Sequence, residues 1–283
     1  MTNNEIGLDF FNKIINNDVI HFSKISGGCI NECFKIKSNQ KKYFIKINSS
    51  FNPFNEEKKG LNLLESTNTF TIPKVYEVGV EKKTAFLLME FIDGKIPSDD
   101  FWISFGYKLA KMHSHSNKFF GLDHNNYIGS LFQENTFHDN AIEFFINCRL
   151  LPQIKLLDIS FGNQLFKNFD KLFSKLNEIL PNDKPALIHG DLWNGNFMVD
   201  NFGAPVLVDP AVYYGSREID IAMSKLFGGF SNKFYEGYNE KFPLENGWQY
   251  RVDIWNLYPL LVHVNLFGDS YLNQVNSTLK KFN

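Results

Sequence analysis

A chain of 283 residues that is 43% hydrophobic and 16% aromatic, with 30 Phe, can bury a substantial core and is far too apolar to be disordered. Twenty-nine basic residues against 31 acidic ones leave a formal net charge of −2, so no basic excess marks it for nucleic acid or an anionic membrane surface. Cys29, Cys33 and Cys148 are too few and too irregularly spaced for a disulfide framework or a zinc site.

The opening MTNNEIGLDFF has no basic region followed by an apolar one, which argues against a secretory signal. Ile30 to Lys37 and Tyr43 to Asn48 read as strands joined by the turn Ser38-Asn39-Gln40-Lys41. Asn52 is a good N-cap and Pro53 suits a first helical position; Glu57, Leu61 and Leu64 then share one helix face. Pro73 to Val80 leads through the charged turn Glu81-Lys82-Lys83 into a strand over Thr84 to Ile92. Beyond Asp93-Gly94 the pattern turns helical. Phe101, Phe105, Leu109 and Met112 form one apolar stripe, and Leu165, Phe169, Leu172, Phe173 and Leu176 another, ended by Pro181-Asn182-Asp183. The most apolar late stretch, Ile254 to Phe267, is broken by Asn256, His263 and Asn265 and falls short of the ~20 residues of a membrane span. The expectation is a soluble cytoplasmic α+β protein of two lobes: residues 1–92, an antiparallel sheet with one main helix, and residues 93–283, mainly helical with a hairpin.

That hairpin carries the chemistry. Phe197-Met198-Val199 and Val206-Leu207-Val208 read as paired strands about the turn Asp200 to Ala204, which brings Asn196 and Asp209 together at the open end. An amide oxygen and a carboxylate suit Mg²⁺, which takes few protein oxygens alongside substrate phosphates. Asp191-Leu192-Trp193-Asn194-Gly195-Asn196 matches the Asp-to-Asn spacing of a kinase catalytic loop, with Asp191 as base. Asp, Asn and Gly are common turn residues, so the loop alone would be weak; the hairpin and the second carboxylate make it specific.

Lys46 shares a sheet face with Phe44, opposite Ile45 and Ile47, and such a lysine needs an anionic partner. Glu57 is the natural one, with Glu56 as the alternative; a Lys–Glu pair aligns ATP phosphates in kinases. Gly27, Gly28 and Cys29, within Ser26 to Asn31, lie where a phosphate-covering turn belongs, and Glu90, Phe91, Ile92 and Asp93 form the junction where adenine would be read. Neither a Walker nor a dinucleotide fingerprint is present.

Taken together, GGCIN (27–31), FIKIN (44–48), FNEEKKGL (54–61), FGLDHNNYIG (120–129), EFFINCRLLPQ (143–153), HGDLWNGN (189–196), VDPAVYYGSREIDIA (208–222) and the LFGGF run (226–230) resemble the fructosamine kinases, or ketosamine 3-kinases, distant relatives of aminoglycoside and choline kinases. HGDL indicates only the wider group; HGDLW-x-GN followed by DPA-x-x-YG is specific to the ketosamine branch. The resemblance implies a two-lobed protein-kinase-like fold and transfer of the ATP γ-phosphate to the 3-hydroxyl of a fructosamine, ribulosamine or erythrulosamine adduct, in deglycation repair. It implies Asp191 as base, Asn196 and Asp209 on Mg²⁺, and Lys46 with Glu57 aligning phosphates. Family members often carry a third glycine or an acidic residue in the phosphate turn, where this chain has Ser26 and Asn31.

Trp193 would either wall the sugar or support the loop. Glu218 is the second acceptor-side candidate, although Arg217, Glu218 and Asp220 are better read as braces. His189 is expected to orient the loop; His113, His115, His124, His138 and His263 are read as structural or exposed. Oxidation or inter-chain bridging at Cys29 would be expected to impair ATP binding, against a plain buried role. Kinases of other small acceptors and a non-catalytic ATP-binding module are the alternatives, the second opposed by retention of Lys46, Asp191, Asn196 and Asp209. The expected assembly is a monomer or weak homodimer. The sequence leaves open which ketosamine is accepted, and whether free or on protein.

Overall fold

The computed structural model describes residues 6–16, 18–25, 30–157 and 163–282. Its first part is a five-stranded antiparallel sheet flanked by helices: α1 (Leu8–Ile14), β1 (Val19–Ile25), β2 (Glu32–Ser38), β3 (Lys42–Asn48), α2 (Phe54–Ser66), β4 (Val75–Glu81) and β5 (Thr84–Glu90), in the spatial order β1-β2-β3-β5-β4. Strand alternation sorts the side chains into two layers. Phe34, Ile36, Ile45, Ile47, Phe86 and Leu88 pack with Phe10, Phe11 and Ile14 of α1. Ala85, Leu87 and Met89 turn the other way, onto Phe54, Leu61 and Leu64 of α2, in a core that continues into the rest of the chain. β5 is covered on both faces, which is why its run from Thr84 to Met89 is buried without a polar alternation. The Ser38 hydroxyl fastens the β2–β3 turn, accepting from Gln40 N and Lys41 N at 3.2 and 3.1 Å. Asn52 Oδ1 accepts from Phe54 N at 3.2 Å just ahead of α2, but the N-cap position falls to Pro53 and the first helical residue to Phe54, each one place later than the sequence suggests.

The chain from β5 onward is mainly helical. α3 (Asp99–His113) is capped by Ser98, whose hydroxyl accepts from Phe101 N at 3.2 Å, and it buries Phe101, Phe105, Leu109 and Met112. A short hairpin, β6 (Asn126–Ile128) with β7 (Leu131–Gln133), precedes α4 (Ala141–Phe144), a π-helical turn over Phe145–Leu150, and α5 (Leu151–Leu156). α6 (Asn163–Ile179) buries Leu165, Phe169, Leu172 and Leu176. Four short strands then frame the candidate site: β8 (Ala186–Ile188), the hairpin β9 (Phe197–Val199) and β10 (Pro205–Leu207), and β11 (Tyr213–Gly215), which pairs with β8. α7 (Glu218–Met223), α8 (Asn232–Lys241), α9 (Trp248–Trp255), α10 (Leu257–Phe267) and α11 (Leu272–Phe282) complete the chain. Among the described residues, no helix is long and apolar enough to cross a membrane.

The two parts are stitched at the hairpin. Leu207 N donates to Thr71 O at 3.2 Å, and Lys95 N, just after the linker from β5, donates to Val199 O at 2.9 Å.

Packing of α3 on α8 depends on absent side chains. A Cβ at Gly106 would overlap Phe234 O and come within 2.6 Å of Tyr238 N, and one at Gly237 would lie 2.5 Å from Ile103 O. Gly106→Ala is therefore expected to cost about 1–3 kcal/mol, read as a lower Tm by calorimetry. Gly94→Ala, whose Cβ would sit 3.6 Å from the Met198 methyl carbon, should leave Tm nearly unchanged; an equal loss in both would exclude backbone approach as the cause.

Candidate active site

The loop after β8 is set by a fully buried carboxylate. Asp220 on α7 accepts from His189 N at 2.7 Å and Gly190 N at 2.9 Å, and from His113 Nε2 at 3.1 Å. Gly190 has φ +81°, and a Cβ there would run into the Ala211 carbonyl, so the position requires glycine. The buried His189 ring then bridges two segments. Its Nε2–H donates to Val208 O at 2.9 Å, while Nδ1 accepts from Asp191 N at 3.3 Å. Burial lowers the His189 pKa against the pull of Asp220, so the ring is neutral, as this bonding pattern requires.

The hairpin register delivers the remaining groups. Phe197 opposes Leu207, and Val208 N donates to Asn196 O at 3.1 Å, so Asn196 and Asp209 flank the open end. The second strand runs over Pro205–Leu207, one residue earlier than the sequence suggests, which leaves Val208 and Asp209 to turn away. Asp209 makes that turn in the left-handed region, φ +54°, which Asp tolerates better than most residues. Asn196 Nδ2 donates to Asp191 O and Asp191 Oδ2, both at 2.8 Å.

Lys46 is buried on the α2 side of the sheet, as alternation requires, and meets Glu57 Oε1 at 2.7 Å together with the Asp209 carboxylate. Glu57 is thus the partner; Glu56 turns instead to Lys59, at 3.7 Å. Burial alone would lower the Lys46 pKa, but the charges of Asp209 and Glu57 outweigh it and hold the ammonium well above its ordinary value. Lys46, Glu57, Asp191, Asn196 and Asp209 all line one cavity of about 630 Å³, and Trp193 lines it too. The donor set fits Mg²⁺: a carboxylate already paired with a cation stands beside an amide whose nitrogen is committed to Asp191, leaving its oxygen for a metal.

The fructosamine kinase family model matches residues 11–283. The chain belongs to the fructosamine kinase family. It is 42% identical over 265 residues to a protein of Vibrio parahaemolyticus named probable ketoamine kinase, covering 91% of each chain. It is 36% identical over 268 residues to the chloroplastic protein-ribulosamine 3-kinase of Oryza sativa subsp. japonica, covering 92% of this chain and 78% of that one. A crystal structure from Haemophilus somnus 129PT, provisionally assigned as a fructosamine-3-kinase, superposes with a TM-score of 0.85 at 30% identity, covering 93% of this chain and 91% of that one. The two-part α+β architecture is therefore the kinase-like fold of this family.

Not every expected residue of this fructosamine kinase family member reaches the cavity. Gly27, Gly28 and Cys29 lie outside the described residues. Glu90, Phe91, Ile92 and Asp93 do lie at the junction between the two parts but do not line the cavity. Glu90 N donates to Lys74 O at 2.9 Å, Phe91 sits beneath the Lys35 ammonium at 4.2 Å, and Asp93 pairs with Lys42 at 2.7 Å. Glu218 is corrected from an acceptor-side candidate to a brace. It is 3% exposed, and its carboxylate is taken up by Arg251 (2.8 and 2.5 Å) and Trp255 Nε1 (2.9 Å), which ties α7 to α9. Arg217 braces likewise, donating to Phe242 O and Pro243 O at 2.8 and 2.6 Å. Asp220 is the brace that the sequence suggested, but its pairing with His113 was not foreseen, nor was the placement of Phe227, His263 and Tyr271 on the cavity wall. These residues are distant along the chain, and no spacing announces them.

Burial raises the Asp191 pKa from 3.8 to about 7, opposed by the Asn196 bond and reinforced by the charges of Asp209 and Asp220. The sign of its effect on stability follows. Between the two values the native state keeps a proton that the unfolded chain has released, so this contribution is full at acid pH and lost as pH rises through about 7. Asp191→Asn, the same shape without the charge, is expected to melt higher than wild type at pH 8 in chelator-containing buffer, with the gap narrowing as pH falls below about 7 and closing only as it approaches 3.8. A pH-independent difference in Tm would rule out the buried charge as its source.

Proposed function

We propose that this protein is an ATP-dependent ketosamine 3-kinase, transferring the γ-phosphate of ATP to the 3-hydroxyl of a ketosamine, a role that serves removal of sugar adducts from amines. The observation that carries the reading is the convergence of Asp191, Asn196, Asp209, Lys46 and Glu57 on one cavity, in a family whose rice member is named protein-ribulosamine 3-kinase.

Each residue has a distinct task. Asp191, raised to about 7 by burial, is poised to take a hydroxyl proton near neutral pH, where a general base is most effective. The Asn196 amide, bonded to Asp191 Oδ2, fixes which carboxylate oxygen faces the acceptor. Lys46 holds phosphate oxygens, and Glu57 keeps its ammonium charged and aimed. Asn196 and Asp209 would hold Mg²⁺, which neutralises phosphate charge when bound.

Asp191→Asn is expected to lower kcat by roughly 10²–10⁴-fold while ATP still binds with near-wild-type affinity in calorimetric titration. Near-wild-type turnover in this variant would falsify the assignment of the base. Lys46→Met should instead raise KM for ATP and leave acceptor binding unaffected. Wild-type protein given ATP, Mg²⁺ and a fructosyl amine should yield product with phosphorus coupled to the C3 proton by NMR; phosphate at another carbon, or none, would refute the reading.

A further inference from the structure

Beyond the phosphoryl centre, the cavity ends on rings. Trp193, Phe227, His263 and Tyr271 line it there. Their ring centroids are 5.8 Å apart for Trp193–Phe227, 4.7 Å for Phe227–His263, 4.9 Å for His263–Tyr271 and 6.2 Å for Phe227–Tyr271. Each ring is half-buried, so part of it remains open to the cavity. Among the described residues, the lining carboxylates are Glu56, Glu57, Asp191 and Asp209. All four are already engaged: Glu57 and Asp209 with Lys46, Asp191 with Asn196, and Glu56 with Lys59.

Two further observations mark the ring cluster as built for a ligand. Phe227 has φ +53°, a conformation uncommon for a bulky side chain, and Gly228 and Gly229 continue the left-handed run at +101° and +69°. Asn194, in the same loop as Asp191, donates to Gly229 O at 3.2 Å and straps this strained segment to the candidate catalytic loop. In this conformation the Phe227 ring is part of the cavity wall. His263 donates Nδ1–H to Pro259 O at 2.7 Å, which leaves Nε2 as an acceptor. Burial lowers its pKa, so the ring is neutral and does not repel a cation.

We propose that these rings receive the protonated amine of the acceptor by cation–π contact, in place of a carboxylate, and that Phe227 is the residue that fixes this preference. The inference rests on the ketosamine-kinase reading. In a ketosamine the amine is on C1, two carbons from the C3 hydroxyl, and is cationic at neutral pH. Trp193, two residues along the chain from Asp191, lines the same cavity, so an acceptor whose hydroxyl is at Asp191 has the rings as a neighbouring wall for its amine. Ring faces suit a single ammonium with hydrocarbon arms, whereas a polycationic acceptor would call for carboxylates.

The test compares a fructosyl alkylamine with the matching 1-O-alkyl fructose, in which an ether oxygen replaces the charged nitrogen. Wild type should favour the amine by about tenfold in kcat/KM, a ratio within the range of a cation–π contact. Phe227→Leu keeps the apolar bulk and removes the ring face. It should abolish most of that preference by lowering kcat/KM for the amine alone, with KM for ATP unchanged. Tyr271→Leu should do the same in part, and provides a second variant if the first folds poorly. Equal turnover of both acceptors by wild type, or equal losses on both in the variants, would overturn the proposal and leave the kinase reading standing. Failure of wild type to phosphorylate either acceptor would instead remove the reading on which the proposal rests.

Discussion

The placement of the candidate catalytic groups depends on the buried Asp220 carboxylate. It gathers two successive backbone N–H groups, at His189 and Gly190, and the His113 imidazole, whose other nitrogen meets Tyr238 OH at 2.8 Å. Hydrogen bonds to a charged acceptor are worth roughly 1.5–3 kcal/mol each, and at full burial they are the condition for keeping a charge there at all. From this fixed point the loop can turn only one way. Gly190 passes under the Ala211 carbonyl, His189 reaches Val208, and Asp191 emerges beside Asn196.

The segment after Asp209 is held from the opposite side by a buried amide network. Gln133 Nε2 donates to Ala211 O at 3.1 Å and Asn126 Nδ2 to Val212 O at 2.9 Å, while Gln133 Oε1 accepts from Tyr258 OH at 2.7 Å. Arg149, fully buried in the π-helical turn, donates to Asn135 Oδ1 at 2.6 Å and stacks on the Tyr213 ring at 3.8 Å. Its Nη1 donates to the backbone carbonyls of Glu134 and Cys148. Its cation is thus balanced by oxygen dipoles and π faces, which lets a charge sit in the core without a carboxylate that would compete with Asp191 and Asp209. The residues on either side of Asp209 are thus held, Val208 by His189 and Ala211 and Val212 by the amide network.

The cavity divides its labour by chemistry. Its polar end holds opposite charges together, with Lys46 between Glu57 and Asp209. Its aromatic end offers ring faces and a neutral imidazole. Trp193 lines the same cavity, its ring lying over Gly195, where a Cβ would come within 2.5 Å of it. The candidate catalytic loop thus also supplies part of the cavity wall.

Much of this was legible in the residues. Strand alternation placed Lys46 opposite Ile45 and Ile47, turn chemistry paired Asn196 with Asp209, and the helical stripes of α3 and α6 fell where their periodicity put them. Those features are local: each depends on neighbours within a few residues, where the 2.0 and 3.6 periodicities govern. The tertiary structure decided the rest. It assigned Glu57 rather than Glu56 to Lys46, turned Glu218 inward to Arg251, made Asp220 the clamp of a loop about thirty residues upstream, and gathered Trp193, Phe227, His263 and Tyr271 into one wall. A carboxylate or a ring carries no mark in sequence of which distant partner will reach it. Only the packing of helices from separate parts of the chain settles that, because burial forces each polar group to take whichever partner lies within reach.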